Sequence, residues 1–248
     1  MIHLIGTEFL KLRTTRLWWA LTLALLGLTA LGAILSLVFA GPETGFTLRD
    51  EASQRGLFGS AGFNTIFALV LGIIGMAGEY KQGTITPTFL AAPPRWRVVV
   101  AKAVAYALGG LFLGVVSSLL AALIAYVGLS IKGIEIVLRA GDLVTLFGGM
   151  IAACALFGTL GVGVGAVIPN QVAALIATLV EQLIAEPLLF NFFPEEGRFL
   201  VGGAASILAG SPNVGATLSL WAAAAVVVAW CLALLSVGSL VTERKDIT

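Results

Sequence analysis

Leu17–Ala40 reads LWWALTLALLGLTALGAILSLVFA, an unbroken run without a charged side chain between Arg16 and Glu43. Roughly 20 apolar residues in a helix span the ~30 Å hydrocarbon core of a bilayer, so this stretch predicts a transmembrane helix. Outward along the chain, the same pattern recurs in Gly56–Gly78 and Ala103–Ile131. Leu143–Val180 is too long for one crossing, and the turn signal Pro169-Asn170-Gln171 divides it. The spans on either side are 143–168 and 172–190. In the last run, Phe199–Thr242, Gly210-Ser211-Pro212-Asn213 leaves a half-length piece and a full span at 214–241. The expected fold is an all-α membrane protein, one transmembrane domain over 1–248, with six spans at 17–40, 56–78, 103–131, 143–168, 172–190 and 214–241.

Composition agrees. Hydrophobic residues make up 59% of the chain and charged residues 11%, against roughly 25% charged in soluble domains. The mean hydropathy is +1.04. Too few charges remain to cover a water-exposed surface. A net charge of +1 predicts no nucleic-acid partner. Cys154 and Cys231 both lie in apolar runs without metal-ligand spacing, so they read as packing residues. His3 is the single histidine, which leaves neither a zinc cluster nor a serine–histidine pair within the spans. No Gly-x-x-x-x-Gly-Lys-Ser/Thr phosphate loop is present, so ATP chemistry is not expected in this chain.

Six spans put both termini on one side. With the termini, the loop 79–97 and the Pro169 turn in the cytoplasm, nine of the 14 basic residues lie there and five lie outside, as the positive-inside rule favours. The first span is preceded by sixteen residues and exceeds the usual 7–15-residue apolar core of a signal peptide, so it is read as retained.

Four segments do not span. In Met1–Arg16, Ile2, Ile5, Phe9 and Leu12 share one helical face, with Glu8, Lys11 and Thr15 elsewhere. This predicts an amphipathic helix lying against membrane lipids. Between the second and third spans, Thr86-Pro87 fits a helix N-cap with proline at the first position, and Pro93-Pro94 ends the segment. Thr84, Ile85, Phe89 and Leu90 would give this short cytoplasmic helix an apolar side. Before the last span, Phe190, Phe192, Phe193 and Phe199 form an interfacial aromatic cluster, and Phe199–Ala209 predicts a short re-entrant external segment. Thr242–Thr248 reads as a solvated stop.

The stretch Glu79-Tyr80-Lys81-Gln82-Gly83-Thr84 follows the second span, and Arg95 and Lys102 lead into the third. With six spans and an amphipathic N-terminus, the whole chain resembles the ABC-2 type transporter permease family. The resemblance implies that the loop is a coupling helix seated in a partner ATP-binding subunit, with Glu79, Lys81, Gly83, Thr84 and Arg95 at the matching positions. Thr86 and Phe89 join them from the helix reading. It further implies ATP and Mg on that partner, no cofactor in this chain, a second permease copy, and a bacterial or archaeal plasma membrane.

An intramembrane carboxylate marks a functional site by default. Thr178, Gln182 and Glu186 follow i, i+4, i+8 along the fifth span, with Glu181 beside the stripe, and Asn64 and Thr65 in the second span are candidates for the opposite wall. These residues admit three readings: a substrate-lined face, a proton relay, or a span that ends early with Glu186 in water. Gly161-x-x-x-Gly165 and Gly110-x-x-x-Gly114 predict close helix approach. The expected function is the permease subunit of an ATP-driven exporter of a lipophilic or amphipathic solute. The alternative is an ion- or proton-coupled secondary transporter using Glu181 and Glu186.

Overall fold

The computed structural model describes residues 2–41, 47–60, 63–85, 95–210 and 218–244. Among these, α1 (Ile2–Thr14) precedes α2 (Arg16–Phe39), α3 (Glu51–Phe58) and α4 (Asn64–Gln82). Then follow α5 (Arg95–Ile131), α6 (Ala140–Val167) and α7 (Gln171–Phe192). The chain closes with α8 (Pro194–Gly197), α9 (Val201–Leu208) and α10 (Leu220–Arg244). Five helices among the described residues are long and apolar enough to cross a membrane: α2, α5, α6, α7 and α10.

The expected span 56–78 takes a different form. The chain breaks at Gly59, and the run divides between α3 and α4. Asp50 caps α3 by accepting from the Ser53 N–H at 2.9 Å. α4 then opens on Asn64-Thr65 and ends in Glu79-Tyr80-Lys81-Gln82, which leaves a short apolar middle. That middle is central to the bundle: Ala68, Leu69, Ile73, Met76 and Ala77 are all buried.

α4 packs chiefly on α6, and α6 on α5, through glycines that bring backbones together. A methyl group added at Gly72 would run into the Gly158 carbonyl oxygen, and one at Gly161 into that of Leu69. At Gly110 it would strike the Cys154 carbonyl. Both glycine pairs singled out in the sequence therefore lie at helix crossings. Cys154 and Cys231 are buried and free, as packing residues.

The two ends of the bundle differ. At the top, the Gln54 amide of α3 donates to the carbonyls of Leu48 and Glu135 at 3.0 and 2.8 Å. Its oxygen accepts from the Val137 N–H at 2.8 Å, and Arg55 pairs with Asp142 at 3.1 Å. At the base, α1 meets the end of α4 and the start of α5. Helix α5 has 37 residues and starts eight positions before the predicted span, so it reaches about 56 Å.

Asn170 caps α7 by accepting from the N–H groups of Val172 and Ala173, both at 3.1 Å. Residues Glu181–Ala185 form a π turn in which the Glu186 N–H reaches the Glu181 carbonyl. Helix α9 lies within the predicted half-length piece. Val201, Ala204, Ala205 and Leu208 are buried in one cluster with Ala153 and Phe157 of α6 and Ala223 and Val227 of α10. The Trp230 indole N–H, well along α10, donates to the Phe199 carbonyl at 3.0 Å.

Candidate functional site

At the base, four charged side chains from three helices meet. Lys102 of α5 is wholly buried. Its ammonium donates to Glu8 of α1 at 2.5 Å, to Glu79 of α4 at 2.7 Å and to the Gly75 carbonyl at 3.2 Å. Lys11 of α1 bridges the same two carboxylates, at 2.9 Å to Glu8 and 3.0 Å to Glu79. Removing an ammonium from water costs several kcal/mol, and only close, well-aligned partners repay it. Two carboxylates and two ammoniums balance here, so the cluster is neutral as a whole. Burial draws the Lys11 pKa down, but its hydrogen bonds to Glu8 and Glu79 and their charges outweigh this and leave it raised. Among the described residues, none hydrogen-bonds the other Glu79 oxygen, Oε2, which is buried.

The placement corrects the reading of α1. Glu8 does not sit off the buried face; it is 3% exposed, whereas Phe9 faces outward. Leu4, Glu8 and Leu12 form an i, i+4, i+8 row, and Leu12 packs into the base core with Val98, Val99 and Ile85. Glu8 was legible as a carboxylate inside an apolar row. Lys102 was legible as a charge between Val98–Ala101 and Ala103–Ala105.

Glu79 thus closes the helix that leads into the 83–94 segment, and Lys102 lies near the start of the helix that leads out. Gly83 ends α4 with φ +68°, a left-handed conformation that favours glycine. The Thr84 N–H returns to the Glu79 carbonyl at 3.0 Å. Arg95 opens α5 and donates to the Thr242 carbonyl at the end of α10 at 2.8 Å. The Tyr80 hydroxyl meets the Thr242 hydroxyl at 3.4 Å. Lys81 is exposed on the rim. Thr86, Phe89 and the rest of the expected coupling helix lie outside the described residues.

Higher in the bundle, a cavity of about 780 Å³ opens between α4, α6, α7 and α9. Thr65, Gln182 and Glu186 line it together with Phe63, Phe157, Phe190 and Leu200. Glu186 is 6% exposed, and its Oε1 accepts from the Gly202 N–H at 2.9 Å. The other residues of the expected polar face lie elsewhere. Asn64 is buried and donates to Ser117 of α5 at 3.3 Å. Thr178 bonds to its own helix at Ala174, 2.7 Å away. Glu181 accepts from Gln182 at 3.0 Å and is not part of the lining. Along α7 the π turn at Glu181–Ala185 interrupts the expected stripe between Thr178 and Glu186, because one extra residue per turn rotates everything beyond it about the helix axis.

A model of the ABC-2 family transporter proteins matches residues 4–184. The chain belongs to this family. The match starts in α1 and ends in the π turn of α7, so it covers the base cluster, the 83–94 segment and the long helices α2, α5 and α6. No curated protein sequence matches the chain. As an ABC-2 permease it is an integral multi-pass membrane protein and a transport component, not itself the ATPase. Membership implies pairing with an ATP-binding subunit.

Proposed function

We propose that this ABC-2 permease is the membrane half of an exporter, that its base faces the cytoplasm, and that the 83–94 segment is the coupling element. The observation that carries the reading is the Glu8–Lys11–Glu79–Lys102 cluster. It ties the helices entering and leaving that segment to each other and to α1. ATPase closure pressing on the segment would then move α4 and α5 as one body, because neither carboxylate can leave its ammonium partners cheaply. Packed helices pass such a push upward to the cavity. The working unit pairs two permease copies with two ATPase subunits, which carry the ATP and Mg. The depth of α9, with the Trp230–Phe199 bond beneath it, supports a re-entrant segment. The cavity is the solute path, and its largely apolar wall suits a lipophilic or amphipathic solute.

The test is pull-down of the ATPase subunit, then ATPase assay with solute. The proteins are wild type, Glu79→Ala, Gly83→Val and a permease with 84–90 replaced by a polar flexible linker. The point variants should bind ATPase yet lose solute-stimulated hydrolysis, and the linker variant should also lose binding. Equal binding and equal stimulated rates throughout would remove the coupling role. Glu186, a buried carboxylate on the cavity wall, also supports a second reading, proton-coupled transport through Glu181 and Glu186. Transport that follows a pH gradient and survives ATP depletion would favour it.

A further inference from the structure

The cavity's electrostatics select a class of solute. We propose that it takes a lipophilic cation, with Glu186 as the counter-ion; this rests on the reading of the cavity as the solute path. Among the described residues, Glu186 is the one charged group in the lining, and no basic side chain joins it. Glu181, which accepts from Gln182, adds a second carboxyl in direct side-chain contact with Glu186 behind the wall. Arg198, near in sequence, lies over the Phe199 ring at 5.0 Å and does not line the cavity.

The Glu186 carboxyl meets two backbone N–H groups at the start of α9, that of Gly202 at 2.9 Å and that of Val201, and the side chain of Glu181. Backbone N–H groups carry no net charge to balance a buried carboxylate, whereas a cation in the cavity would. Gly202 holds that geometry: a methyl group there would run into Glu186 Oε2. The remaining wall includes the aromatic rings of Phe63, Phe157 and Phe190, whose faces can attract a desolvated cation and whose apolar surface suits the shell around it. At about 780 Å³ the space lies within the range of sites for drug-sized molecules. An anion of the same size would meet the Glu186 carboxyl with no basic side chain in the lining to pair with, and a neutral molecule would bring it no opposite charge.

The experiment uses the permease–ATPase complex in detergent and in proteoliposomes. Two ions of one shape and opposite charge serve as probes, tetraphenylphosphonium and tetraphenylborate. Wild type should bind the phosphonium, and the phosphonium should stimulate ATP hydrolysis, while tetraphenylborate does neither. Glu186→Gln should weaken phosphonium binding roughly thirtyfold or more, as loss of a buried charge partner does. Gly202→Ala, which keeps the carboxylate but displaces it, should fall between. Thr65→Trp, which fills the cavity, should abolish binding. Equal binding of both ions, or unchanged phosphonium binding in Glu186→Gln while Thr65→Trp still blocks it, overturns the cation assignment alone. Phosphonium transport untouched by Thr65→Trp and by Glu186→Gln overturns the cavity as the path.

Discussion

Replacing Lys102 by methionine would test whether the base cluster holds the helices together. Its ammonium is wholly buried and touches Glu8 at 2.5 Å and Glu79 at 2.7 Å. The substitution keeps the apolar stem and removes one of two cations. Breaking a buried pair typically costs about 3–5 kcal/mol, because the abandoned charges stay buried. Lys11 still reaches both carboxylates, at 2.9 and 3.0 Å, so the low end, ~3 kcal/mol, is expected. At roughly 2–4 °C per kcal/mol for a chain of this size, Tm should fall by about 6–12 °C. Adding Glu8→Gln to Lys102→Met should restore most of the loss, since Glu79 and Lys11 would then remain as a balanced pair at 3.0 Å. The assay is thermal unfolding of purified permease in detergent, with protease accessibility of α1 as a second readout. A Tm within a degree or two of wild type for Lys102→Met, with α1 still protected, would refute the claim that the cluster anchors α1.

Gly72→Leu should force α4 from α6 and cost about 3 kcal/mol or more by overpacking; folded yield and Tm would show it, and Gly148→Ala, with nothing within 4 Å of an added methyl, should be neutral. For topology, single cysteines in a variant lacking Cys154 and Cys231 should label from outside at Arg49 and Arg139 and only after permeabilisation at Arg95; external labelling at Arg95 would reverse the orientation. The raised Lys11 pKa means that its share of stability is fully present below its ordinary value of 10.5 and is lost as pH rises through the higher folded value. Protease release of α1 should therefore increase only in strong alkali, and release between pH 7 and 9 would contradict the pairing.

The membrane class and most of the spans follow from sequence alone, because hydrocarbon tolerates so few charges that charge-free runs mark the helices directly. The Asn170 cap of α7 and the left-handed end of α4 at Gly83 are also local, set by residues within a few positions of each other, whereas the glycines mark where a helix can approach a neighbour without naming the neighbour. The break between α3 and α4 was written in Gly59-Ser60-Ala61-Gly62, but hydropathy averages across such a break. What the sequence did not determine is which polar residues meet. Glu8 and Lys102 lie 94 positions apart, and only the fold decides that each is the other's partner rather than a solvated charge. The i, i+4, i+8 stripe of Thr178, Gln182 and Glu186 presumed an unbroken α-helix. Thr178, before the π turn, is buried, while Gln182 within it and Glu186 after it line the cavity beside α9. Local periodicity states which residues share a face of an ideal helix. Tertiary packing decides where that face turns and what it meets.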